Sequence, residues 1–252
     1  MNNFFSASAL KVSIIQLTSL ILALAGIIFF NFNTYNLLLT FIGYFLYSGI
    51  GISLMMHRYY THKSFKFKYP YLESIFLFLS IVAGRGSPIG WVYVHRLHHA
   101  YSDTLKDPHD PKTIGWRIFF PHLIGYGQSV DKRLIKDLMN KNHLLINKYY
   151  LLIIILYAVL LGAISIELLY FFYIFPLFLT WIALDLFVFL THKFGYRNFD
   201  TYDNSKNNWF ISVILWGEGW HNNHHKNPSQ IDLQKNWWEI DLLGKIIKLI
   251  KK

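Results

Sequence analysis

The sequence predicts an all-α integral membrane protein: four transmembrane helices with a cytoplasmic helical cap that holds a histidine-rich site. Three observations carry that expectation. Of 252 residues, 54% are hydrophobic and only 15% charged, whereas soluble domains run near 25% charged. Four apolar segments are long enough to cross a bilayer. Twelve histidines, most of them in short clusters beside those segments, occur in a chain with no cysteine. The missing cysteine removes disulfides, thiolate ligands and cysteine nucleophiles together, so any metal must be held by histidine or carboxylate.

A spanning helix takes about 20 apolar residues. The first span covers about 12–30; it is too long for a signal-peptide core and lacks a small-residue cleavage site, so it is retained. The polar turn Asn31–Asn36 leads into the second span, about 37–56. His57-Arg58-Tyr59-Tyr60-Thr61-His62 follows at once. The apolar stretch Ile75–Ala83 is too short to span and reads as an amphipathic helix at the membrane surface. Residues 149–190 would make one helix of over ~60 Å, about twice the hydrocarbon thickness. They must fold back near Gly162–Glu167, which gives spans of about 149–166 and 168–190. Pro176 inside the fourth is tolerable there. The tail from Trp237-Trp238 to Lys252 reads as an interfacial helix, with apolar residues spaced among lysines. The whole, 1–252, forms one membrane domain whose cap comprises 57–148 and 193–252.

Charge placement tests this layout. One of the 24 Lys and Arg precedes the first span, fourteen lie between Arg58 and Lys148, and nine lie from Lys193 onward. The two short loops on the other face hold none, a complete positive-inside bias. Both termini and the central loop therefore belong in the cytoplasm, of a bacterial cell or facing it from the endoplasmic reticulum. The bias also accounts for most of the net charge of +10 without a nucleic-acid partner.

Nine histidines fall in four places: His57 and His62; His95, His98 and His99; His192 at the end of the fourth span; and His221, His224 and His225. An even number of spans separates successive clusters, so all nine end on one face. Residues i, i+3 and i+4 share a helix face, so each triplet can present its imidazoles towards one point. His57 and His62 stand about 140° apart on a regular helix. Either the helix unwinds there or the two serve different ions. Nine imidazoles exceed the needs of one ion, and two ions is the economical count. Imidazole suits iron, copper, zinc and nickel; a nitrogen-rich site with open positions beside a membrane suits redox iron and oxygen better than a closed four-ligand zinc site. His109, His122 and His143 read as structural. Asp103, Asp107 and Asp110 read as turn caps that pair with Lys106 or Arg117.

These strings resemble the membrane fatty acid desaturase family, in particular its acyl-CoA (stearoyl-CoA) desaturase-like branch. The likeness runs from His57 to Trp238. It rests on the first cluster, on His95-Arg96-Leu97-His98-His99 followed by Ser102-Asp103 and Asp107-Pro108-His109, on His192-Lys193-Phe194-Gly195-Tyr196-Arg197, and on Gly217-Glu218-Gly219-Trp220-His221-Asn222-Asn223-His224-His225. The resemblance implies two iron ions held by the nine histidines. It also implies removal of two hydrogens from a saturated acyl chain, on coenzyme A and between carbons nine and ten, with molecular oxygen and two electrons. Lys112, after the Asp-Pro-His string, and Trp181 in the fourth span are the candidate substrate contacts. An asparagine that completes one iron's shell in relatives is replaced here by Val188, with Asp185 on nearly the same helix face.

Breaking an unactivated C–H bond is beyond side-chain acids and bases, so the metal and oxygen must supply the chemistry. The sequence holds no dinucleotide-binding glycine motif and no His-Pro-Gly-Gly string. A separate electron donor is expected, ferredoxin-like or of cytochrome b type with its reductase. Hydroxylation of a lipid or alkane is the chemical rival. A membrane metal carrier is the remote one, disfavoured because no ligand lies deep in the first or third span.

Overall fold

The computed structural model describes residues 2–115, 117 and 131–252; His122 lies outside them. The described residues are helical, with isolated bridges and no sheet. Four helices are long and apolar enough to cross a membrane. They are α1 (Asn2–Phe29), α2 (Thr34–Thr61), α5 (Lys141–Ile164) and α6 (Ile166–Thr191). Between the second and third lie α3 (Pro70–Val82) and α4 (Pro88–Tyr101). After the fourth come α7 (Trp209–Ile214), α8 (His221–Lys226) and α9 (Leu242–Ile250).

Each boundary has a local cause. Asn33 accepts a hydrogen bond from the N–H of Asn36 and so caps α2, satisfying one of the first-turn donors a helix leaves open. Asn140 caps α5 through His143 N–H. The fold-back inside 149–190 falls at Ser165, within the expected interval. Its backbone is extended, and its hydroxyl accepts from Leu168 N–H to start α6. Pro176 lies two residues after a π-helical stretch, Leu169–Ile174, and widened turns of this kind are where helices bend.

The second long helix departs from expectation. From Phe45 to Thr61 it is π-helical, and it extends five residues beyond the expected end at 56. It is also the most buried of the four, and α3, α4 and α9 all pack on it. Leu10, Ile14, Leu17, Ile21 and Ile28 of α1 and Leu152, Ile155, Leu156 and Val159 of α5 stay exposed, as helix faces meeting lipid would. In α9, Leu243 and Ile247 are buried in the protein while Leu249 remains outside, as do Trp237, Trp238 and Ile240 just before the helix. The tail is thus docked on one face and free on the other.

Candidate metal centre

All nine clustered histidines converge, in two groups. His57, His62, His95, His99 and His224 form one; His98, His192, His221 and His225 form the other; in each, the ligand nitrogens lie within 4.8 Å of one another. This decides one open alternative, in favour of a backbone that departs from the regular helix, and corrects one expectation. His57 and His62 share a group, because in a π-helix hydrogen bonds run from i to i+5 and residues five apart stack. The bond from His62 N–H to His57 C=O, 3.1 Å, is of that kind. The triplets, in contrast, do not point at one centre. In each, the i and i+4 imidazoles stay together and the one between turns to the other group.

The ring orientations suit a metal. Nδ1 of His57 lies 2.6 Å from Glu218, that of His98 2.9 Å from Asp107, that of His192 3.2 Å from Asp103 and that of His225 2.5 Å from Asp203. An ionised carboxylate only accepts, so these contacts place the proton on Nδ1 and leave Nε2 as an inward lone pair, the arrangement of metal-bound histidines. Facing lone pairs repel unless a cation lies among them. Nε2 atoms are 3.1 Å apart in His57–His224 and His95–His99, and 3.0 Å apart in His99–His224 and His192–His221. Nitrogens held about 2.1 Å from one ion would be about 3.0 Å apart at right angles and about 3.4 Å apart at the tetrahedral angle. The spacing fits octahedral-type coordination better than a tetrahedral zinc site. The Nε2 atoms of His62 and His225 are buried without a hydrogen-bond partner among the described residues, as open ligand atoms would be.

The electrostatics agree. Burial lowers the pKa of His62, His95, His98, His99, His221 and His224, and the neighbouring imidazoles lower it further. The neutral form that binds metal is therefore favoured. Burial raises the supporting carboxyls and prevails at Asp107, but at the other three the partners win. The bonds from His192 and from Asn204 N–H hold Asp103 at about 2. Arg58 and His57 hold Glu218 at about 2. His225 and Ser205 hold Asp203 far below the usual range.

A second layer fixes these carboxylates. Arg58, fully buried, joins Glu218 (2.8 Å) to Asp241 (2.7 Å). Gly217 and Gly219 let Glu218 reach inward. A Cβ at Gly217, whose φ is +115°, would lie 2.4 Å from Asp241 Oδ1, and one at Gly219 would lie 2.3 Å from the carbonyl of Asn208. Asn222 and Asn223, between the histidines of the third cluster, are scaffolding. Asn223 donates to the Leu233 carbonyl and to Glu239, and Asn222 donates to the Phe199 carbonyl. Asp107 does cap its turn, through the N–H groups of His109 and Asp103, whereas Asp103 accepts from Asn204 N–H across the fold; their side-chain ion partners are His98 and His192 instead of Lys106 or Arg117.

A cavity of about 130 Å³ opens beside both groups, space for several waters and so more than a packing void. Val12, Ile52, Val94, Leu184, Phe187 and Leu215 make its apolar wall, and His57, His95, His98, His192 and His221 face it. Val188 lines it too, while Asp185 is committed to Arg85 and Gln16 and belongs to neither histidine group. His109 forms its turn and also lines the cavity, 5.5 Å from His98 between ring centroids. His143 accepts from Asn140 away from the centre. Lys112 is exposed and does not reach the cavity wall. Trp181 is buried under Arg85, one turn from Leu184 and Asp185. The long-range partners Arg58, Glu218, Asp203 and Asp241 were not read as functional from sequence. The glycines around Glu218 were the available signal.

Four helices fit to cross a membrane, joined by nine converging histidines with carboxylate support, define a helical membrane protein with a histidine-rich candidate metal centre. The chain belongs to the fatty acid desaturase family: the family model described as Fatty acid desaturase matches residues 32–249. It is 35% identical over 216 residues to an sn-1 stearoyl-lipid 9-desaturase of Anabaena variabilis, covering 82% of this chain and 78% of that protein. It is 35% identical over 246 residues to an acyl-CoA 5-desaturase of Anemone leveillei, covering 92% and 73%. With a Delta-9 acyl-lipid desaturase of Arabidopsis thaliana it shares 34% over 240 residues, covering 88% and 74%. Membership makes it a membrane-bound oxidoreductase of fatty acyl groups.

Proposed function

We propose that the protein introduces a cis double bond between carbons nine and ten of an esterified saturated acyl chain, using dioxygen, two electrons and two iron ions. The observation that carries this is the pair of histidine groups, offering nitrogen ligands only, set at the side of an apolar cavity. His57, His62, His95, His99 and His224 would hold one ion, and His98, His192, His221 and His225 the other. When bound, the iron pair and dioxygen supply the oxidising power that C–H cleavage needs. The protein's own part is positional. Glu218, Asp103, Asp107 and Asp203 keep the imidazole protons on Nδ1, which leaves Nε2 free to ligate. Ile52, Val94, Leu184, Phe187 and Leu215 exclude water and align the alkyl chain.

The distribution of Lys and Arg supports a cytoplasmic centre, with 57–148 and 193–252 forming one cap. Electrons come from a separate ferredoxin-like or cytochrome b-type protein. Coenzyme A is the carrier expected from the resemblance. The acyl-lipid names of two of the relatives above support a glycerolipid as the second reading.

Expression in a host without unsaturated fatty acids, followed by lipid mass spectrometry, tests the reaction. New double bonds are expected with the wild type and none with His98→Ala. Hydroxylated chains, or no change, would overturn it. Separating the host's acyl-CoA and glycerolipid pools at early times shows which carrier gains the double bond first. Metal analysis of the purified protein should give about two irons per chain; a single zinc would refute the iron pair.

A further inference from the structure

Away from the histidines the cavity wall has one strongly polar place. Arg85, in the turn between α3 and α4, donates from Nη1 to Asp185 Oδ1 on α6 (2.9 Å), and Gln16 of α1 donates to Asp185 Oδ2 (3.2 Å). Three separate elements thus meet on one carboxylate. The Arg85 guanidinium stacks over Trp181 at 4.0 Å. The indole N–H of Trp181 is buried with no acceptor among the described residues. The side chains of Arg85 and Asp185 are 14% and 3% exposed.

A buried ion pair gains little stability over an apolar pair of similar volume, because desolvation offsets the attraction. Its presence in an otherwise apolar wall therefore calls for a role beyond stability. An alkyl chain has one polar place, the carbonyl at its head. The cavity wall offers the Arg85 guanidinium, whose one hydrogen bond among the described residues goes to Asp185, while Trp181 supports it from behind the wall. The pair is electrically neutral, so it suits a neutral carbonyl oxygen. A free carboxylate would gain from Arg85 and lose to Asp185 in equal measure.

We infer that Arg85, oriented by Asp185 and Gln16, is a specificity-determining residue. It binds the carbonyl oxygen of an ester or thioester acyl group in preference to a free fatty acid, and so fixes which carbons stand beside the histidines. This inference rests on the acyl-chain reading above.

The test uses the full-length protein in nanodiscs. Binding of methyl stearate and of stearate is measured for the wild type, Arg85→Gln and Asp185→Asn. Each ligand's partition into the bilayer is common to all three proteins, so changes in the ester-to-acid ratio report on the site. Arg85→Gln should weaken ester binding about tenfold, as loss of one charge-assisted hydrogen bond predicts. Asp185→Asn leaves Arg85 unopposed and should move the ratio about tenfold towards stearate. In cells, Arg85→Gln should spread the double bond over neighbouring positions, an effect that mere loss of folded protein does not produce. If Arg85→Gln fails to fold, Asp185→Asn and Gln16→Ala carry the test through the same ratio. Unchanged ratios with an unshifted double bond would overturn the inference while leaving desaturation intact. A wild type that makes no double bond, yet shows the ratio changes, would overturn the reaction and leave the carbonyl site.

Discussion

Truncating Asp241 tests whether the buried charges behind the histidines act as one structure. Its carboxylate is fully buried and accepts four hydrogen bonds: from Arg58 Nη1 at 2.7 Å and Nη2 at 3.0 Å, from Leu233 N–H at 2.8 Å and from Gly244 N–H at 2.9 Å. Asp241→Ala leaves Arg58, itself 2% exposed, with Glu218 and the Ile231 carbonyl only. Removing one partner of a buried ion pair costs about 3–5 kcal/mol. The cap of α9 is lost as well, typically about 1 kcal/mol, though the terms overlap and do not simply add. At roughly 2–4 °C per kcal/mol for a chain of this size, the unfolding temperature should fall by about 10 °C. Tryptophan fluorescence during heating of the detergent-purified protein measures it. Asp200→Ala is the control. Asp200 is fully exposed and pairs loosely with Arg197 at 3.5 Å, and such pairs contribute little. If Asp241→Ala melts within a degree or two of the control, Arg58 does not depend on its carboxylates and the reasoning fails.

Other outcomes follow from the same geometry. Gly217→Ala adds a Cβ 2.4 Å from Asp241 at a left-handed φ of +115°; a loss of about 1–3 kcal/mol is expected, read as a lower unfolding temperature. Inserting one alanine after Tyr59 lengthens the His57–His62 spacing to six, which shares a face in neither an α- nor a π-helix, and turns His62 out of its group; metal analysis should show iron falling while the protein still inserts in the membrane. His143→Ala should leave iron content unchanged, because His143 serves the start of α5. In the metal-free protein, burial holds the pKa of His62, His95, His98, His99, His221 and His224 below the ordinary 6.5. Below pH 6.5 the unfolded chain binds protons that the folded chain refuses. Stability is therefore full above about pH 6.5 and is lost as pH falls towards the folded values. Thermal unfolding at pH 7.5, 6.5 and 5.5 checks the sign.

The four long helices were legible because length and hydropathy suffice, and Ser165 broke the last pair where Gly, Ser and Glu interrupt the apolar run. The nine histidines were legible because clustering and span parity place them on one face. How they divide was not. A period of 3.6 makes His57 and His62 strangers, and only the π-helical backbone brings them together. The same period makes each triplet look like a single claw, because it says nothing about a second centre lying between neighbouring faces. The carboxylates were misread for a different reason. Asp103 and Asp107 look like turn residues by local spacing, and Asp107 is one, but His192 is 89 positions from Asp103 and Asp241 is 183 from Arg58. No local pattern encodes such pairings.

The splitting of the triplets has a consequence for how the protein would acquire and lose its ions. Helix α4 gives two imidazoles to one group and one to the other, and α8 does the reverse. Neither helix can shift to release one ion without loosening the other. Loading should therefore be all-or-none, with half-filled molecules scarce at any metal concentration, and a chelator should strip both ions in a single transition. The end of the centre on α2 is tied through Arg58 to Glu218 and Asp241 late in the chain, so it should keep its shape when empty and act as the template on which α4 and α8 close.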